Sequence, residues 1–300
     1  EQQPEGLGAI FPYDAATDLY RDAYYHGGIY SAWGRFWFTS VMFLNHTSGR
    51  VKDLSGLDYH FNRVLSGEDQ FDCRYFQERS SWPNLNKVQV PTYFGCDWRF
   101  FGLHLRGAFD GWEGIPPSTP KKMLIGPEPM PRRPFAAYHV EALRWYDHYL
   151  KGMDSGVLEG PPINLWIQGE ESWRGENEWP LARTDWKELY LTGDVLSENA
   201  GAAGERAYTF VPGTKEAKRG EPKLVWCTEP ASKPFEVTGP MALKLKAASS
   251  ADDTDWFVFI KDEAPDGSER TITRGFLKAS HRATDRKKST IWRPWHPHDK

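Results

Sequence analysis

The 300-residue chain is long enough to bury a large core and usually to form two domains. Its charged fraction of 26% and hydrophobic fraction of 39% are typical of a soluble globular protein. A net charge of −4 without a Lys/Arg cluster argues against a nucleic-acid surface, and no apolar run approaches the roughly 20 residues of a membrane span.

The three cysteines indicate a reducing compartment. Cys73, Cys96 and Cys227 are odd in number and far apart, which favours free thiols over a disulfide framework. We therefore predict a cytoplasmic protein that binds neither a membrane nor a nucleic acid.

The first half of the chain alternates strand and helix patterns. Residues 7–11 form an apolar strand-like run, and residues 29–86 are rich in aromatic residues at helical spacing. Residues 88–95 form the next apolar strand, followed directly by Asp97 and then by a helical pattern that contains His104. This order predicts an α/β domain over residues 1–160.

A strand, a proline-rich loop and a helix follow in residues 121–152. Residues 123–125 are typical of a strand covered on both faces, and the prolines at 127, 129, 131 and 134 exclude regular structure from the loop. From Ala136 to Leu150 apolar residues recur at steps of three and four, and Gly152 is placed to end that helix in the left-handed conformation. The loops that follow such strands in a doubly wound sheet carry chemistry.

Residues 161–300 contain short strand patterns separated by turn residues. The patterns lie at residues 163–169, 188–192, 237–247 and 255–262. Several strands with few helical patterns predict a β-sandwich.

We expect neither a metal nor a cofactor. The acidic loop with Asp252, Asp253 and Asp255 lacks the glycine and the final glutamate of a calcium-binding loop. His296 and His298 are separated by a proline and lack a third ligand.

Two runs of the chain resemble the CocE/NonD family of cocaine esterases and X-Pro dipeptidyl-peptidases. They are LRWYDHYLKGMDSG (residues 143–156) and GPPINLWIQGEESWRGENEWP (residues 160–180), and residues 227–267 are similar to the family's jelly roll. The resemblance implies an α/β plus all-β chain: part of an α/β-hydrolase domain with a helical cap over about residues 29–86, then a jelly-roll β-sandwich over residues 161–300. It also implies a serine hydrolase that cleaves ester or amide bonds, including X-Pro dipeptidyl bonds, through a Ser-His-Asp acyl-enzyme mechanism.

The nucleophile of that mechanism is expected before residue 1. The family's GxSxxG turn lies shortly upstream of the position that residue 1 occupies, and the chain itself contains no GxSxG. The chain is therefore expected to be a fragment with an incomplete jelly roll, and to be inactive alone.

The acid and base positions depart from the family pattern. The family's acid position falls on Phe100 and its base position on Met130, and neither side chain can serve. Asp97 is the predicted acid, the alternative being that it caps the following turn. His139 is the predicted base, the alternative being a half-buried structural histidine. His104 is a second candidate base, for which a structural hydrogen bond is the alternative.

The acidic segment with Asp14, Asp18, Arg21 and Asp22 either lines the mouth of the site or is a junction in which Arg21 is paired with nearby carboxylates.

Three functions stay open for the chain: a hydrolase of small esters, amides or short peptides, a hydrolase whose acid and base have moved by a few residues, and an inactive relative that binds a ligand or partner. Because jelly-roll faces often form dimers in related architectures, a homodimer is a candidate assembly.

Overall fold

The computed structural model describes residues 2–48, 63, 70–127, 136–219 and 221–300. The chain divides into two compact units, Glu1–Trp179 with Met241–Lys300, and Pro180–Pro240. Across these described ranges, none of the helices combines the length and the apolar character that crossing a membrane requires.

The strands are numbered in chain order. They are β1 (Tyr25–His26), β2 (Ile29–Tyr30), β3 (Thr92–Asp97), β4 (Lys121–Gly126), β5 (Ile163–Ile167), β6 (Ser172–Glu176), β7 (Tyr190–Thr192), β8 (Val195–Ser197), β9 (Asp255–Glu263) and β10 (Glu269–Lys278).

The α-helices are α1 (Ala32–Trp37), α2 (Leu44–Thr47), α3 (Arg74–Gln77), α4 (Leu105–Gly114), α5 (His139–Lys151) and α6 (Lys215–Lys218). Leu19–Tyr24 and Phe38–Phe43 are π-helical, and Trp82–Lys87, Trp98–Phe100 and Ala279–His281 are 3₁₀ turns.

A four-stranded sheet in the order β3-β4-β5-β6 organises the first unit. β3, β4 and β5 run parallel, and β6 returns antiparallel to β5. Ile10 and Tyr13 form parallel bridges with Thr92 and Gly95, so the predicted strand-like run lies beside β3. The two strands predicted in residues 88–95 and 123–125 are confirmed, although β3 begins four residues later than predicted and β4 begins two residues earlier.

The sheet is covered on both faces, as the apolar runs predicted. Phe94 and Met123 pack in one cluster with Trp112 of α4. Their neighbours Tyr93 and Leu124 point to the opposite face and pack in a second cluster with Trp145 of α5. This alternation follows from the two-residue period of a strand.

The helix predicted after the proline-rich loop is confirmed as α5. It ends at Gly152, whose φ of 67° is left-handed, and the Gly152 N–H donates to the His148 carbonyl. Glycine adopts this conformation without the steric cost of a Cβ atom, which explains why the helix ends there.

The residues predicted to form the cap are described only in part, because residues 49–62 and 64–69 lie outside the described ranges. In the described part, β1 and β2 pair antiparallel and α1 and α2 follow. One buried aromatic cluster joins three elements. It contains Tyr20 and Tyr24 of the π-helix Leu19–Tyr24, Tyr25 of β1, and Tyr75 and Phe76 of α3. The layout of a helical cap stays a prediction.

The strand prediction for the second half of the chain needs three corrections. β5 and β6 extend the α/β sheet, although their residues follow position 160, where the sequence analysis began the β-sandwich. Residues 237–247 contain no strand. β9 and β10 form a two-stranded sheet within the first unit, and β7 and β8 form another within the second. The described residues therefore do not establish the jelly-roll layout. Phe257 and Phe259 of β9 are exposed, because a two-stranded ribbon cannot enclose a core.

Candidate active site

Asp97 is the last residue of β3 and lies beside Gly126, the last residue of β4. The carboxyl ends of neighbouring parallel strands meet at one edge of a sheet, which is where α/β proteins place their chemistry. Asp97 is fully buried, and its Oδ1 accepts a hydrogen bond of 2.9 Å from the Arg99 N–H. The predicted capping role is confirmed, and the position and burial of the carboxylate also suit the acid of a triad.

Phe100, at the family's acid position, is used for packing. Its ring stacks on His104 with centroids 5.1 Å apart and the planes 9° from parallel. The His104 N–H also donates to the Phe100 carbonyl at 3.1 Å, just before α4 begins. His104 is partly buried against the turn that follows Asp97.

His139, the predicted base, is the first residue of α5 and is exposed to solvent. The structure does not join it to Asp97 by a hydrogen bond, whereas the residue before it, Tyr138, is buried. Met130, at the family's base position, lies outside the described residues.

Two tyrosines that sequence reasoning missed lie at the same edge of the sheet. The rings of Tyr13 and Tyr138 are stacked with centroids 5.4 Å apart. A Cβ atom on Gly95 would lie 2.2 Å from Cδ2 of Tyr13, and one on Gly126 would lie 1.9 Å from the Tyr138 hydroxyl oxygen. Gly95, two residues before the end of β3, and Gly126, at the end of β4, therefore make room for both rings.

Burial raises the pKa of the Tyr13 phenol, and the neighbouring acidic groups of Tyr138, Asp14, Cys96 and Asp97 raise it further. Tyr13 therefore stays protonated at neutral pH. Burial likewise raises the pKa of the Cys96 thiol, with Asp14 adding to the effect. Because the thiolate is the nucleophilic form, Cys96 is not an activated nucleophile.

Arg21 and the acidic segment form a buried ion-pair network, which confirms the pairing alternative. Arg21 Nη1 lies 2.8 Å from Asp18 Oδ2 and 2.6 Å from Asp72 Oδ2. Asp22 accepts hydrogen bonds from two backbone N–H groups on Oδ2 and from Arg106 on Oδ1, at 2.7 Å. Burial raises the pKa of the Asp22 carboxyl, and the Arg106 charge opposes that rise.

The candidate metal ligands have other partners. Asp253 accepts hydrogen bonds from Ser280, and Asp255 lies 2.7 Å from Lys278 Nζ. His298 Nδ1 lies 3.0 Å from His281 Nδ1. No group of three or more His, Cys, Asp or Glu side chains suited to a metal occurs in the part of the chain that the structure describes.

Comparison with known proteins shows similarity to hydrolases and to a domain that accompanies them. Residues 155–299 match the family model described as the X-Pro dipeptidyl-peptidase C-terminal non-catalytic domain. The chain is 29% identical over 174 residues to the proposed serine esterase Mb1866c of Mycobacterium bovis, a match that covers 50% of this chain and 28% of that protein. It is 25% identical over 173 residues to the cocaine esterase of a Rhodococcus species, covering 47% of this chain and 30% of the esterase.

The resemblance to the CocE/NonD family is confirmed. A solved CocE/NonD family hydrolase from Staphylococcus aureus, SACOL2612, superposes with a TM-score of 0.77 at 22% identity, covering 99% of this chain and 54% of that chain. An aminopeptidase from a marine-sediment Thaumarchaeota archaeon superposes with a TM-score of 0.69 at 16% identity, covering 98% and 61%. At these identities the two solved structures establish the fold. This chain spans about half the length of the CocE/NonD hydrolase it superposes on.

Proposed function

We propose that the chain is part of a serine hydrolase that cleaves ester or amide bonds in small molecules or short peptides through an acyl-enzyme. The proposal rests chiefly on Asp97, a buried carboxylate at the carboxyl edge of the sheet, beside the strand after which the family carries its base. The esterase names of the curated relatives support the reaction class. The X-Pro dipeptidyl-peptidase name of the matching domain supports amide substrates as a second class.

In the proposed mechanism a serine upstream of residue 1 attacks the scissile carbonyl. A histidine takes the serine proton and returns it to the leaving group, while Asp97 orients that histidine and stabilises the imidazolium. His139 is the candidate base because it is the first residue of α5, the helix that follows β4 in the chain, and its ring is exposed to solvent. His104, on the turn that follows Asp97, is the second candidate.

We also propose the domain layout of the family: an α/β-hydrolase part that includes β5 and β6, with a cap over about residues 29–86, and a jelly roll that begins after β6. A homodimer and a cytoplasmic location stay predictions.

Labelling with a fluorophosphonate probe tests the reaction class. The product of the complete gene should be labelled at one serine upstream of residue 1, and the 300-residue chain alone should not be labelled. Heat-denatured protein is the control for non-specific labelling. If the complete product carries no such serine, or the serine is never labelled, the acyl-enzyme proposal fails.

A non-catalytic relative that binds a ligand or partner is the second candidate. Phe100 favours it, because this residue replaces the family's acid and its ring is committed to stacking on His104. Saturable binding of an ester or dipeptide without turnover, by a complete product that resists the probe, would support this candidate.

A further inference from the structure

We propose that a cleft between β10 and the turn that follows β3 binds a carboxylate monoanion with a flat apolar body, and that Arg274 is the residue that holds the carboxylate. This inference concerns binding and does not depend on hydrolysis.

The cleft has a volume of about 250 Å³ and lies entirely within the first unit. Its walls combine three aromatic rings with four guanidinium groups. The rings are those of Phe101, Phe276 and Trp295, and the guanidinium groups are those of Arg21, Arg106, Arg274 and Arg293. Small-molecule sites characteristically combine apolar walls with a few placed polar groups.

Three of the four arginines are already engaged. Arg21 pairs with Asp18 and Asp72, and its Nη2 donates to the carbonyls of His296 and Pro297 at 2.9 Å each.

Arg106 pairs with Asp22 at 2.7 Å and with Asp110 at 3.0 Å. Arg293 pairs with Asp110 and, at 2.8 Å, with Glu113. These donors are committed to carboxylates of the protein and hold the shape of the cleft.

Arg274 is the exception, because it pairs with no carboxylate among the described residues. Its guanidinium carbon lies 5.2 Å from the centroid of the Phe101 ring and 5.3 Å from that of Phe276. A Cβ atom on Gly102 would lie 2.1 Å from Arg274 Nη2, so the missing side chain at position 102 makes room for the guanidinium. Two rings and a glycine therefore position a planar pair of donors that carry no ion pair to any residue the structure describes.

The charges around the cleft select a monoanion. Five carboxylates, those of Asp18, Asp22, Asp72, Asp110 and Glu113, surround the guanidinium groups of Arg21, Arg106 and Arg293. These carboxylates would repel a phosphate dianion more strongly than a monoanion. A single carboxylate can accept two parallel hydrogen bonds from one guanidinium group. Burial, with the nearby charges of Arg274 and Arg106, lowers the pKa of His26, so that this neighbour is neutral at pH 7 and Arg274 provides the charge.

The test compares 3-phenylpropanoate with 3-phenylpropanamide, which has the same shape without the charge, by calorimetric or NMR titration of the 300-residue chain. The acid should bind saturably, and the amide at least about tenfold more weakly, because a hydrogen bond to a charged group is lost. Arg274→Gln should reduce acid binding to the level of the amide, and Arg274→Lys should retain part of it. Arg270→Gln is the matched control, because Arg270 lies on the same strand and its nearest carboxylate is Asp262 at 3.7 Å.

Four results would overturn the proposal: no saturable binding of the acid, equal binding of acid and amide, unchanged binding by Arg274→Gln, or competition by inorganic phosphate at the same concentration. Circular dichroism of each variant ensures that a loss of binding is not a loss of folding. Should Arg274→Gln fail to fold, Phe276→Leu, which removes one of the rings, gives a second test. It should weaken binding of both probes, and unchanged binding would count against the site.

Discussion

Arg21 provides the most specific stability prediction, because its guanidinium group donates to four acceptors, two of which are buried carboxylates. Its side chain is 9% exposed, against 0% for Asp18 and 3% for Asp72. Arg21→Met keeps most of the volume but leaves these two carboxylates and the carbonyls of His296 and Pro297 without their donor. Breaking a buried ion pair by removing one partner costs about 3–5 kcal/mol, so we expect a loss of that size in the free energy of unfolding.

The free energy of unfolding that Arg21→Met removes should depend on pH. Burial raises the pKa of the Asp72 carboxyl, and Arg21 opposes that rise. In Arg21→Met, the pKa of the Asp72 carboxyl in the folded state should rise further above its value in the unfolded state. A carboxyl with a raised folded-state pKa stabilises the protein below its unfolded pKa, and this stability is lost as the pH rises through the folded-state pKa. The penalty of Arg21→Met should therefore be smaller at about pH 5 than at about pH 7.

Urea unfolding followed by tryptophan fluorescence measures both effects. Arg74→Met is the control, because Arg74 is 90% exposed and its partner Glu78 is 50% exposed. Exposed pairs of this kind contribute at most about 1 kcal/mol. If Arg21→Met cost no more than Arg74→Met, or if its penalty grew on acidification, the account of this network would be wrong.

Two further predictions concern the core around the sheet. Trp145→Ala should cost about 3–5 kcal/mol in urea unfolding, because the Trp145 side chain is fully buried against Tyr93 and its Nε1–H donates to the Ile10 carbonyl at 3.0 Å. Val140→Ala on the same helix, 53% exposed, should cost less than about 1 kcal/mol, and similar losses for the two variants would contradict the packing described for α5. In a thiol titration of the native chain, exposed Cys227 should react readily and Cys96 only on unfolding, and rapid reaction of Cys96 would contradict its burial and raised pKa.

The parts of the fold that the sequence predicted well depend on local signals. Each of these signals lies within a dozen or so residues: the apolar runs of β3 and β4, and the helical period of α5. The end of α5 could also be predicted locally, because the left-handed backbone conformation there favours glycine at position 152. Asp97 was predicted as the acid because it is the carboxylate nearest to the position that the family resemblance gives to the acid, and it directly follows a buried strand.

The parts that were missed depend on distant contacts. An alternating strand such as β5 carries no signal of its partner, and here the partner is β4 rather than another sandwich strand. Arg21 finds Asp72 51 positions away and the His296 carbonyl 275 positions away, separations over which local sequence patterns carry no information. The pairing of Tyr13 with Tyr138 could have been suspected only from Gly95 and Gly126, near the carboxyl ends of β3 and β4.

The most direct test of the proposed function is the turnover number of Asp97→Asn in the complete gene product, measured with an ester substrate. The amide oxygen of asparagine can still cap the Arg99 N–H, so the fold should be retained while the orientation of the base is lost. Asp253→Asn is the matched control, since Asp253 also caps backbone N–H groups, in the loop before β9. We predict that Asp97→Asn lowers kcat by roughly four orders of magnitude and that Asp253→Asn leaves it unchanged. Wild-type turnover by a folded Asp97→Asn variant would contradict the assignment of Asp97 as the catalytic acid.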